Sequence, residues 1–326
     1  MSAGSADRAP SAVTLQSNLF VAAHMDGAIE LGRRLADLVG ESDAFVEALT
    51  GGLADLADPV YEIGLRSVTP GLGSVVGVRL PLLEATHKAL RRATKQTPPG
   101  LMLVLTDRLL SHDAIDVRWF GMWNLESLLA ADPEATWRLM RRAAAEAGEW
   151  ISVDTLAHPY GAGILLDGAR WAELGRLISS PSRWERRLVG STLATLPHVK
   201  LAGRADAIVA VNGLDLIGRL IGDAEPDVQK ALSWALRSLA AIDAPAVVAF
   251  AEDQTRIARA TEDGHRAWVI RDSLTKLPGG SQKTLRASLE GIRRRPGAPS
   301  TSLEAVAAED HAAGAARRLE HSFREE

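Results

Sequence analysis

The segment EWISVDTLAH, Glu149 to His158, places an indole and a carboxylate four residues apart, at Trp150 and Asp154. In a helix four residues is about one turn, so both side chains share a face, roughly 5–6 Å apart at Cβ. An acid beside an aromatic face is suited to receive positive charge, and such preorganised charge counts most where the cation forms only in a transition state. The pair also has plainer readings. A Trp on a repeat helix commonly packs between repeats. An Asp near a helix start commonly complements the helix dipole, and His158 offers Asp154 a second partner.

The chain that carries them has 326 residues, 46% of them apolar, enough for a sizeable core in one large domain or two ordinary ones. It contains no cysteine, which excludes disulfides, thiolate metal sites and a cysteine nucleophile. The opening residues MSAGSADRAPSAVTLQS lack the layout of a signal peptide and read as a flexible tail over residues 1–15. No apolar run approaches the ~18 residues that span a bilayer, so a soluble cytoplasmic monomer without membrane contact is expected. Net charge is −4, which does not advertise nucleic-acid binding. A groove needs only a local field, however, and basic residues do cluster: Arg91, Arg92 and Lys95; Arg141 and Arg142; Arg183, Arg186 and Arg187; Arg293, Arg294 and Arg295. Each cluster alone also fits a solvated face.

A 3.6-residue apolar period dominates from about residue 15 to 293, with breakers at Gly51-Gly52, Asp58-Pro59, Pro98-Pro99, Asp132-Pro133, Glu225-Pro226 and Pro278-Gly279. The expected fold is all-α. DVRWFGMWNL at Asp116 and DVQKALSWAL at Asp227 share Asp-Val, then Trp at the eighth place and Leu at the tenth. Related stretches start at Glu149, Arg183 and Asp263, so the successive spacings are 33, 34, 44 and 36 residues. That is the scale of a two-helix HEAT-like repeat, and such repeats stack into a solenoid whose second helices line a concave wall. Trp150, Asp154, Arg187 and Trp234 then fall on successive equivalent helices. The repeat domain is expected over 16–295, followed by a linker and a peripheral C-terminal helix or tail over 296–326.

Three motifs in this order, W-x-x-x-D at Trp150–Asp154, W-x-x-R at Trp184–Arg187 and VQKALSWALR at Val228–Arg237, resemble the AlkD family of bacterial alkylpurine DNA glycosylases with HEAT-like repeats. GVRLPLLEATHKAL from Gly77 and HRAWVIRDSLTKL from His265 fit the same family, and the resemblance covers roughly residues 60–280. It implies hydrolysis of the N-glycosidic bond of cationic N3- or N7-alkylpurines in duplex DNA held in a concave groove. Bulky adducts of a DNA-alkylating natural product, and hence self-resistance, fall within that scope. The resemblance implies Asp154 as the carboxylate that stabilises oxocarbenium charge on the deoxyribose and positions water, with Trp150 and Trp234 forming the aromatic cleft. Arg187, with Arg186 and Lys230, would hold the DNA backbone, and Arg187 is expected to stand exposed in a basic groove. No cofactor or metal is implied, and His24, His87, His112, His158 and His198 show no metal-ligand spacing.

Two features depart from the family pattern. Pro159 follows Asp154 by little more than a turn and is expected to kink or end the helix. SVTPGLGSVV stands where the family often carries aromatic residues, and Tyr61 lies too early to replace them. Trp119, Trp123, Trp137, Trp171 and Trp268 are assigned to core packing. Two alternatives to a glycosylase remain open: a DNA-structure-binding paralogue without catalysis, and a HEAT-like protein-binding scaffold.

Overall fold

The computed structural model describes residues 12–200 and 205–322. Sixteen α-helices follow one another in it. They are α1 (Ala12–Leu35), α2 (Ser42–Ala54), α3 (Pro59–Val68), α4 (Leu80–Ala93), α5 (Pro99–Leu110), α6 (Ile115–Leu129), α7 (Pro133–Glu146) and α8 (Trp150–Leu166). Then come α9 (Arg170–Arg176), α10 (Arg183–Thr195), α11 (Asp206–Leu220), α12 (Pro226–Leu239), α13 (Ala244–Thr261), α14 (Gly264–Ser273), α15 (Gly279–Ser288) and α16 (Leu303–Ser322). The fold is all-α, with no strand among the described residues beyond an isolated bridge between Ala57 and Val78.

Most breakers of the sequence are helix starts, whereas Gly51-Gly52 lies inside the last turn of α2. Asp58, Asp132, Asp243 and Asp263 each accept a backbone N–H of the first turn that follows, and proline occupies the first turn of α3, α7 and α13. A capping carboxylate satisfies an otherwise orphaned donor, and proline there gives up no helical bond. All five repeat starts fall at helix N-termini: Asp116 in α6, Glu149 before α8, Arg183 in α10, Asp227 in α12 and Asp263 before α14.

The chain divides into two compact units, residues 1–124 and 125–326. In the first, α1 packs along α4, and Phe45, Leu49, Leu82, Leu83, Leu105 and Phe120 are fully buried. In the second, α8, α10, α12 and α14 pack side by side in that order, while α7, α11 and α13 pack against them from outside. Successive helix pairs therefore stack as the repeat spacing requires. The contact between α10 and α12 is the most extensive, and Gly190 makes it possible. A Cβ there would lie 2.8 Å from both the Cβ and the carbonyl carbon of Ala231.

Two expectations need correction. Helix α8 runs through Pro159 to Leu166 rather than ending there. Ten of its residues are buried, including Leu156, Ala157, Tyr160 and Ile164, and that packing outweighs one missing backbone bond. The tail expected over 1–15 is helical from Ala12 in α1, and residues 1–11 lie outside the described residues. The segment after Arg295 ends in a peripheral helix, α16, which is docked on the second unit. Thr301 N donates to Gly222 O at 2.8 Å, Arg219 pairs with Glu304 at 2.9 Å, and Ala305 and Ala308 are fully buried. Of the assigned core tryptophans, Trp119 and Trp137 are buried, whereas Trp123, Trp171 and Trp268 are half-buried.

Candidate active site

Helix α8 starts on Glu149, whose carboxylate is buried and accepts the backbone N–H groups of Ile151 and Ser152. Glu149 thereby meets the orphan donors and positive end of the helix dipole. Trp150 opens the helix half-buried, and Asp154 stands one turn further in. His158 pairs with Glu126 at 3.0 Å, not with Asp154. Two plain readings of Asp154, dipole partner and His158 partner, are thus filled by other residues.

Asp154 is held from the neighbouring helix. Arg187 on α10 donates to it twice, Nε to Oδ1 at 3.1 Å and Nη2 to Oδ2 at 2.7 Å. Ser191, one turn further along α10, donates its hydroxyl to Oδ1 at 2.6 Å. Arg187 Nη1 also donates to the Asp227 carbonyl at the start of α12, at 2.7 Å. One guanidinium therefore ties α8, α10 and α12 together, with the planar fork matching the carboxylate. The Arg187 side chain is only 7% exposed, while that of Asp154 keeps 21% of its surface open. On α12, Asp227, Lys230 and Trp234 recur at i, i+3 and i+7 and so share a face. Lys230 is exposed and Trp234 half-buried. The site is a carboxylate with one open edge, clamped by a guanidinium and a hydroxyl, on the helix face that carries Trp150.

This geometry corrects two expected roles. Arg187 is not exposed in a groove; it is buried in an inter-helix ion pair, because α8 and α10 lie close enough for its fork to close on Asp154. Arg186 is not available to DNA either. Its side chain is 4% exposed, paired with the fully buried Asp223 at 2.7 Å and bonded to Ser180 O at 2.8 Å. It points about 100° around α10 from Arg187, into the repeat interior. Lys230 alone of the three expected backbone contacts is exposed, with its Nζ 4.0 Å from Asp227 Oδ1. Sequence reasoning missed Ser191 and Glu149. Ser191 was legible, since i+4 from Arg187 puts it on the same face.

A related clamp occurs between α12 and α14, where Ser233 and Arg237 both donate to Asp272 Oδ2, at 2.6 and 2.7 Å. An acid–serine–arginine bridge is therefore also a structural device of this repeat. Asp272 also has a Trp one turn before it, Trp268, but Arg294 stacks over that ring at 4.6 Å. What sets Asp154 apart is the deeper burial of its arginine, since Arg237 keeps 27% of its side chain exposed. Among the described residues no group of His, Asp and Glu could hold a metal ion, and no helix is long and apolar enough to cross a membrane.

Stacked helix pairs with a clamped acid at the head of α8 define a helical-repeat protein whose charged site lies across the second helices of its pairs. The family profile described as DNA alkylation repair enzyme matches residues 51–277, more than two thirds of the chain and all of the site. The chain belongs to that family, the AlkD-like DNA alkylation repair enzymes. No curated protein and no solved structure matches it.

Proposed function

We propose that the chain is a monofunctional DNA glycosylase that hydrolyses the N-glycosidic bond of N3- and N7-alkylated purines in duplex DNA. Alkylation makes the purine cationic, so the C1′–N bond breaks with its electron pair leaving on a base that becomes neutral. Positive charge then develops on the deoxyribose. Asp154 stabilises that charge through its open edge and orients the water that adds to C1′ and gives up a proton. Trp150 and Trp234 offer the cation aromatic faces, an attraction of roughly 0.5–2 kcal/mol each, depending on desolvation. Arg187 and Ser191 act as positioning residues that fix the carboxylate, and Lys230 offers a phosphate contact that carries no sequence information.

The observation that carries this reading is the partly open Asp154 carboxylate, oriented by three hydrogen bonds and set beside Trp150 inside the family-matched region. A second reading, a DNA binder without catalysis, draws on the corresponding clamp at Asp272, which shows that such bridges also serve stacking alone. Incubating the protein with methylated duplex DNA and separating the free bases distinguishes them. Release of 7-methylguanine or 3-methyladenine supports the glycosylase. Duplex binding without release supports the binder, and neither supports a protein-binding scaffold.

A further inference from the structure

The C-terminal end of the second unit gathers four cations around a single acid. A cleft of about 620 Å³ opens there, lined by Arg271 on α14, Lys283 and Arg286 on α15, and Arg293 beyond it, with Glu290 the one acid on its wall. Lys283 and Arg286 are three residues apart and share a face of α15. Both are exposed, as is Arg293, and none of the three is ion-paired with a described residue.

The frame of this cleft is rigid. Arg271 Nη1 donates to Leu289 O at 3.0 Å. The Arg293 carbonyl lies so close to Gly264 that any Cβ at that position would overlap it. The next residue, Arg294, stacks over Trp268 at 4.6 Å and donates to Gln229 Oε1 at 2.6 Å. Burial, then repulsion from Arg293 and Arg294, holds the Arg271 guanidinium below its ordinary pKa. Like charges fixed together at such a cost are relieved by an anion with several oxygens, and guanidinium forks match phosphate oxygens.

We propose that the cleft between α14 and α15 is a phosphate-binding site, occupied by phosphodiester groups of the DNA backbone away from the Asp154 centre. The family match ends at residue 277, so Lys283, Arg286 and Arg293 lie beyond the portion that defines the family. Naming DNA as the source of the phosphate rests on the repair function proposed above; the anion site does not.

The test replaces three exposed side chains in the full-length protein, Lys283→Ala, Arg286→Ala and Arg293→Ala together, with circular dichroism to verify folding. For binding to undamaged duplex, the variant's slope of log affinity against log salt falls by about two to three units, since each lost contact removes roughly 0.9. Affinity at low salt weakens at least tenfold, while the single-turnover excision rate at saturating protein is unchanged. Calorimetry with inorganic phosphate forms a second arm. Phosphate binding that the triple variant loses, with duplex binding unaffected, places a small phosphate ligand in the cleft and overturns DNA as its source. If neither duplex nor phosphate binding differs between the two proteins, the site itself is refuted. If the wild type releases no alkylated base yet loses phosphate binding on substitution, the repair reading fails and the anion site stands.

Discussion

Replacing Arg187 with Met removes the guanidinium but keeps most of the side-chain volume, and so separates a positioning role from a grip on DNA. The change breaks two charged bonds to Asp154 and one to the Asp227 carbonyl. Breaking a fully buried ion pair costs about 3–5 kcal/mol, because the remaining charge is left uncompensated. Asp154 keeps 21% of its side-chain surface open and retains Ser191 as a donor, so water and one hydroxyl absorb part of the loss. The expected destabilisation is about 2–3 kcal/mol. For a unit of this size that lowers the unfolding midpoint by roughly 5–10 °C. Asp154→Asn strands the more deeply buried Arg187 charge and costs a similar amount, about 2–3 kcal/mol, the surviving acceptor oxygen offsetting only part of the loss. In the double variant no charge is left to strand, so its loss falls short of the sum of the two by about 1 kcal/mol or more. Urea unfolding of the four proteins gives this coupling directly. In parallel, Arg187→Met slows excision while duplex affinity and its salt slope hold. Additive stability losses, together with a salt slope smaller by about one unit, would refute the clamp and restore Arg187 as a phosphate contact.

Gly190→Ala forces a methyl group against the Ala231 backbone on α12. The overpacking costs about 1–3 kcal/mol, more than the ~1 kcal/mol gained in helix propensity, so thermal unfolding shifts down. An unchanged midpoint would mean that α10 and α12 are less closely apposed. His87 is buried and bonded to Asn124 at 3.0 Å; burial, aided by the charge of Arg91 and opposed by the Asn124 bond, holds its pKa below the ordinary 6.5. The unfolded chain therefore takes up the proton first, so His87's contribution is fully present above pH 6.5 and is lost as pH falls through the folded value. The wild type should lose more stability than His87→Gln on acidification across that window, and equal losses would contradict the assignment. The proposed chemistry predicts a substrate scope set by charge, with release of cationic 7-methylguanine and 3-methyladenine but not of neutral uracil or 1,N6-ethenoadenine. Efficient uracil release would show that the site does more than stabilise a cation.

The helices were readable in the sequence because their starts carry physical signatures. Asp58, Asp132 and Asp263 before helical runs are caps, and the repeated Asp-Val and Trp spacing marks α6 and α12. The face shared by Trp150 and Asp154 followed from the same period. The partner of Asp154 did not. Whether Arg187 turns outward or closes on an acid 33 residues away depends on the rotation of α10 against α8, which apolar periodicity alone leaves open. Pro159 misled for a related reason: local propensity spoke for a break, and burial of the surrounding face overrode it. The docking of α16 was hidden by its small residues. Ala305 and Ala308 make a thin apolar stripe, yet their size allows close approach, and two hydrogen bonds complete the attachment, Ser300 accepting the Ala224 N–H and Thr301 donating to Gly222 O.

The central claim is that the Asp154 charge performs the chemistry, and single-turnover excision of 7-methylguanine from duplex DNA by Asp154→Asn tests it most directly. The protein is in excess over DNA, and its folding is verified at the assay temperature. The amide keeps the size and one acceptor of the carboxylate but not its charge. The predicted result is a rate lower by about 10²–10³, the usual worth of one such electrostatic group, with duplex affinity held or raised. Folded Asp154→Asn protein excising the base at the wild-type rate would contradict the account and leave Asp154 as a structural clamp like Asp272.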